Sequence, residues 1–320
     1  MEKQLSVSGN PHIRHADTAQ GIMLDVILAL LPATAGGIWL FGWVAALVIL
    51  ASVASAVASE YLFCLIVKKP NPIADLSAVV TGLLLALNLP ATLHSIWLGA
   101  LGSAIAIVVV KQCFGGIGQN FANPAITARI VLLVSFPALM TRWVTPGSWL
   151  KGVEVITSAT PLPYFADPAA YPDVTYSLRS LFLGNTPGCI GETSVLLLLV
   201  GGLYLVIRKV ISPIIPVVFV LTAGGLSWLL GADFLVSICS GGLMLGAVFM
   251  ATDYSTSPTH PLGKVVFAAG CGILTALIRR FGSLAEGVSY SILLMNLLVP
   301  LINRMTPVKP FGWEAKRDGK

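Results

Sequence analysis

The sequence predicts an all-α polytopic membrane protein, and three observations carry that expectation. Apolar residues make up 56% of the 320 and charged residues only 10%, where a soluble domain has about a quarter of its residues charged. Mean hydropathy is +0.87, more apolar surface than a soluble fold can hide. The apolar residues also gather in runs that approach the roughly 17–25 residues needed to cross a bilayer. Hydrocarbon offers no water to backbone N–H and C=O groups, so the spans are expected to be helices, which satisfy those groups internally.

About ten spans follow from that length criterion, at 21–41, 43–67, 76–89, 95–111, 124–141, 192–207, 213–231, 234–251, 264–279 and 285–303. The third and ninth are short, as segments buried at a binding site within a bundle often are. The chain divides into an N-tail (1–20), a first membrane repeat (21–141), an outer-face segment (142–191), a second membrane repeat (192–303) and a C-tail (304–320). The N-tail stays polar for too long to read as a signal peptide.

Orientation follows from the basic residues, which concentrate on the cytoplasmic side of membrane proteins. Lys3, Arg14, Lys68, Lys69, Lys111, Arg208, Lys209 and the basic C-tail fall on one side of a ten-span chain, while Arg279 and Arg280 fall on the other. Both termini are therefore expected in the cytoplasm of a prokaryotic cell, with the segment from Arg142 to Glu192 outside. The net charge of +5 sits in loops and tails rather than in a stripe, which argues against nucleic acid. The five cysteines include no CxxC pair, so neither a disulfide scaffold nor a protein-held zinc or iron–sulfur site is expected.

A weak internal repeat is visible. Phe114-Gly115-Gly116 follows the fourth span and Phe281-Gly282-Ser283 follows the ninth, each leading into an apolar helix. Five spans separate the copies, so two five-helix halves would run in opposite directions. Inverted repeats of this kind place ligand sites near the midplane between the halves.

Four polar motifs stand out from the apolar background. In "GGIGQNFANPA", Gly116 and Gly118 permit positive φ, Asn120 and Asn123 offer amide donors and acceptors, and Asn123-Pro124 reads as an N-cap and helix start. It follows a helix and lacks a third glycine, so it is no dinucleotide fingerprint. In "MATDYSTSP", Asp253 reads either as a turn cap or as an ion or proton site. Asp25 in "MLDVILALLPA" lies inside the first span, where a carboxylate is costly and becomes a functional candidate, or lies near enough to the interface to be hydrated. In "EVITSATPL", Thr160 ahead of proline alone would read as a helix N-cap. No GxSxG elbow, HExxH or P-loop occurs.

Together and in this order, the four motifs resemble the membrane flavoprotein family that includes the D subunit of the Rnf complex and the B subunit of the sodium-pumping NADH:quinone reductase. The resemblance runs over almost the whole chain. It implies a urea-transporter-like fold and a threonine carrying FMN through a phosphoester bond, which here is Thr160, with Glu154, Thr157, Ser158 and Ala159 as the recognition motif. Glu154 stands where the family more often has aspartate, and Ser158 where it has glycine. It further implies a non-covalent riboflavin, for which Asn120 and Asn123 are the candidate contacts. The expected function is that of an electron relay and ion-path subunit, with Asp25 and Asp253 on the path, in a complex that couples ferredoxin:NAD⁺ electron transfer to Na⁺ or H⁺ movement. The partners would be iron–sulfur and NAD-binding subunits, a second covalent-FMN subunit and small membrane subunits. A solute channel or transporter of similar fold, and a quinone reductase subunit, are the alternatives.

Overall fold

The computed structural model describes residues 18–70, 72–151, 177–282 and 286–307. They are helical, with one isolated bridge between Pro90 and Cys189. Five helices are long and apolar enough to cross a membrane: α1 (Ala19–Phe41), α2 (Trp43–Val67), α4 (His94–Ile105, continued by a π-wound segment to Gln112), α12 (Pro261–Phe281) and α13 (Val288–Met305). Shorter apolar helices are α3 (Ser77–Leu87), α5 (Pro124–Ser135), α8 (Val195–Ile207) and α9 (Ile214–Leu229). The short pieces α6 (Pro137–Met140), α7 (Leu178–Leu183), α10 (Phe234–Cys239) and α11 (Leu243–Leu245) complete the described helices.

Local chemistry sets the helix ends. Thr18 caps α1 by accepting from the Gly21 N–H, and α1 stops at Gly42, whose φ of 77° suits glycine. Asn123 caps α5 with Pro124 as its first residue. Asp233 caps α10 through the Val236 N–H.

The spans at 76–89 and 234–251 prove to be interrupted. The first is α3, followed by the Asn88–Pro90 turn, and the second breaks into α10, the Ser240–Gly242 link, and α11 with its π-wound extension Gly246–Met250. The expected ninth span, 264–279, is longer than its sequence suggests, because His260 and Pro261 cap and start α12 three residues earlier.

Burial separates lipid-facing from interior segments. Trp39, Leu50, Leu65 and Ile66 on α1 and α2 are exposed, whereas nearly all of α3 and all of Gly246–Met250 are buried. These two buried pieces form the centre, and the long apolar helices surround them. The close fit depends on small residues: a Cβ added at Gly82 of α3 would lie 2.9 Å from the Ser52 carbonyl oxygen of α2.

The two central pieces share sequence as well as position. "TGLLLALNLPAT" (81–92) and "GGLMLGAVFMAT" (241–252) match at Gly82/Gly242, Leu83/Leu243, Leu85/Leu245, Ala91/Ala251 and Thr92/Thr252. A long helix follows each, and a basic residue near its end returns to the N-terminal side of the buried piece. Lys111 donates to Ser77 Oγ at 2.5 Å, and Arg279 donates to the Ser237 and Ser240 carbonyls at 2.9 Å each.

Candidate functional site

A mostly apolar cavity of about 270 Å³ lies beside these buried pieces. Its walls come from α1 (Met23, Val26), α3 (Val80, Leu84), α8 (Leu205) and the second π-wound segment (Phe249). Its few polar groups are Ser77, Thr81, Lys111, Asn120, Asn123 and the Thr252–Ser255 turn. A largely apolar pocket with a small set of polar groups is the usual form of a small-molecule or cofactor site.

The two candidate asparagines have different duties. Asn123 Oδ1 accepts from the Ala125 and Ile126 N–H groups, capping α5, while its Nδ2 donates to the Met250 carbonyl at 3.2 Å. Its amide thus ties α5 to the second π-wound segment. Asn120 Oδ1 is buried with no hydrogen-bond partner among the described residues. A buried acceptor without a partner costs about 1–3 kcal/mol, so Asn120 is the residue whose chemistry calls for a ligand. Gly116 and Gly118 have φ of 103° and 81°, and the turn they make carries Asn120 to the cavity. Gly118 lines it.

Asp253 borders the same cavity. Its Oδ2 accepts from Ser255 Oγ at 2.8 Å and Thr256 Oγ1 at 3.0 Å, so it holds its own turn together. Asp25 faces α8, where Oδ1 accepts from Tyr204 at 2.8 Å and Oδ2 pairs with Arg208 at 3.2 Å. Glu154, Thr157, Ser158, Ala159 and Thr160 lie outside the described residues.

Two buried charge clusters escaped the sequence reading. Near the cavity, Lys111 pairs with Glu60 at 2.6 Å, and Gln112 Nε2 donates to the same Glu60 oxygen at 2.7 Å. Deeper, the Arg129 guanidinium contacts Glu286, Glu192 at 2.9 Å, Asn88 Oδ1 at 2.5 Å and Ser289 Oγ at 3.3 Å. This second cluster adjoins a void of about 20 Å³ lined by Glu192, Glu286, Thr186 and Cys239, room for about one water molecule. Glu60 and Arg129 lie inside the expected spans 43–67 and 124–141. A charge within a span was the signal that singled out Asp25, and it applied equally to them.

Residues 6–312 match the model of the NQR2, RnfD, RnfE family. The D subunit of the Na⁺-translocating ferredoxin:NAD⁺ oxidoreductase complex of Acetobacterium woodii is 46% identical, over 100% of this chain and 99% of its own. The D subunit of the proton-translocating ferredoxin:NAD⁺ oxidoreductase complex of Clostridium ljungdahlii is 42% identical over 96% of both chains. The D subunit of the ion-translocating oxidoreductase complex of Stutzerimonas stutzeri is 40% identical over 92% of both. With matches of that length and identity, the chain belongs to the NQR2, RnfD, RnfE family.

Proposed function

We propose that this chain is the D subunit of an Rnf-type complex, in which it relays electrons between ferredoxin and NAD⁺ and contributes to the ion path. The observation that carries the relay reading is the family-typical GGIGQNFANPA turn ending at a cavity with a buried, unpartnered Asn120 oxygen. The residues suit a flavin: apolar walls accept the face of an isoalloxazine ring, and Asn120 Oδ1 would accept from a ring N–H. Gly118 leaves open space beside it. Asn123 shapes this site by fixing α5 to Met250. A bound riboflavin would supply the redox chemistry, and the protein its position and surroundings.

A second flavin, FMN, is covalently linked to Thr160 within the Glu154, Thr157, Ser158, Ala159 motif, toward the outer face. Two flavins shorten the electron path across a hydrocarbon core of roughly 30 Å. The chain sits in a prokaryotic cytoplasmic membrane with both termini inside, as ten spans in two inverted halves. The matched pieces 81–92 and 241–252, each clasped by a basic residue of the following helix, support that repeat. Iron–sulfur and NAD-binding subunits, a second covalent-FMN subunit and small membrane subunits complete the complex. One relative is named for Na⁺ and another for protons at similar identity, so overall likeness does not choose the ion.

Purified protein tests this directly. Acid precipitation should leave riboflavin in the supernatant and a fluorescent, flavin-bearing polypeptide in the pellet. A colourless protein with no flavin mass would mean a transporter of similar fold.

A further inference from the structure

We infer that Asp75, Ser77 and Lys111 form a proton relay into the apolar cavity that Asn120 lines, with Glu60 as the positioning residue that holds the Lys111 ammonium. This rests on the reading of that cavity as a redox-cofactor site.

Lys111 is 2% exposed, and a buried ammonium is costly unless paired. Its Nζ donates to Glu60 Oε1 at 2.6 Å and to Ser77 Oγ at 2.5 Å. An ammonium has three hydrogens, and among the described residues the third has no acceptor. Lys111 and Ser77 both line the cavity. Ser77 Oγ donates in turn to Asp75 Oδ1, and Asp75 is partly exposed in the turn after Lys68 and Lys69. A continuous line of hydrogen bonds therefore runs from a solvent-accessible carboxylate, through a hydroxyl that both gives and accepts, to an ammonium on the cavity wall.

The local winding serves this arrangement. Successive residues of an α-helix point about 100° apart, yet Lys111 and Gln112 reach the same Glu60 oxygen. They do so in the π-wound end of α4, and π-turns concentrate at functional sites. Glu60 Oε2 is left buried without a partner among the described residues. An ion pair kept only for stability gains little over apolar packing of similar volume.

The proton count closes. Lys111 Nζ gives a proton to a basic atom in the cavity, breaking one N–H bond and leaving a neutral amine. The Asp75 carboxylate takes a proton from hydronium at the exposed end. The amine then takes the Ser77 hydroxyl proton while Ser77 Oγ takes the proton that Asp75 has gained, which returns Asp75 to the carboxylate. One proton enters for each delivered, and the side chains return to their starting charges. Electrons for the cavity's cofactor come from the partner subunits of the proposed complex. The titratable and charged groups around Lys111 are Glu60 and Cys64 of α2, Asp75 through Ser77, and Asp253 and Tyr254, which line the same cavity. Arg129 of α5 is engaged with Glu286 and Glu192.

The test uses the full chain in detergent with its extractable flavin quantified. Rapid reduction by dithionite is followed at the flavin absorbance across pH. Asp75→Asn keeps an oxygen to accept the Ser77 N–H, and Ser77→Ala keeps the Lys111–Glu60 pair, so neither depends on leaving Glu60 unpaired. Asp75→Asn should retain full flavin content, and in both variants the protonation-linked absorbance change, scaled to the bound flavin, should slow about tenfold or more, within what a positioned proton donor supplies. The deficit should widen as pH rises. An unchanged rate and pH profile in folded, flavin-replete Asp75→Asn protein would overturn the relay. Wild-type protein without extractable flavin would overturn the cavity reading, and the relay with it.

Discussion

The side-chain amide of Asn123 donates to the backbone carbonyl of Met250 across 127 residues of sequence. The same side chain caps α5. Asn123→Ala should therefore destabilise the fold by about 2–3 kcal/mol, from a lost cap of about 1 kcal/mol and a lost buried hydrogen bond. Thermal unfolding in detergent measures this. Asn120→Ala should leave the midpoint unchanged or raised and lower the non-covalent flavin content instead.

Arg129 holds two carboxylates from distant parts of the chain. Arg129→Met leaves Glu192 and Glu286 buried without their common cation, at a cost of about 3–5 kcal/mol. Denaturation should show this loss, and adding Glu286→Gln should recover part of it. No recovery in the double variant would mean that the guanidinium acts through packing alone.

Thr160→Ala should abolish in-gel flavin fluorescence while the extractable flavin stays. On the proposed assignment Thr157→Ala should still be modified, because the attachment hydroxyl is that of Thr160. Peptide mass spectrometry across residues 152–180 locates the adduct, and covalent flavin on Thr160→Ala protein would return Thr160 to a helix-cap role.

Asp25 faces Tyr204 and an Arg208 side chain that is 56% exposed, and exposed pairs contribute about 0–1 kcal/mol. Asp25→Asn should therefore leave stability nearly unchanged. In vesicles carrying the whole complex it should depress ion uptake more than ferredoxin-dependent NAD⁺ reduction. Equal loss of both would remove Asp25 from the ion path.

A cysteine introduced at Ser148 should react with an impermeant thiol reagent added to intact cells. Labelling only after permeabilisation would reverse the assigned orientation.

The membrane class and the long spans were legible because hydropathy alone specifies them. The cavity's polar turn was legible too, since asparagine and glycine have little reason to interrupt apolar helices unless they line or brace something. The division of labour between Asn120 and Asn123 was not, because it depends on Met250 arriving from far along the chain. The break at Ser240–Gly242 was hidden, since an apolar run reads alike whether wound as one helix or two. Glu60 and Arg129 were readable as charges within spans, but their partners were not: Lys111 and Glu286 meet them only after folding.

The Arg129 cluster also bears on how the protein is made. Arg129 leaves the ribosome 157 residues before Glu286, an interval of roughly 8 to 30 seconds at ordinary translation rates. Until then α5, twelve residues long, carries an arginine whose insertion at a helix centre costs about 2.5–3.5 kcal/mol. Glu192 emerges earlier and offers a first, provisional counter-charge. The first half of the chain is thus complete in length well before it is settled in the bilayer. A nascent chain truncated ahead of Glu286 should remain a substrate for membrane quality control, however hydrophobic its helices.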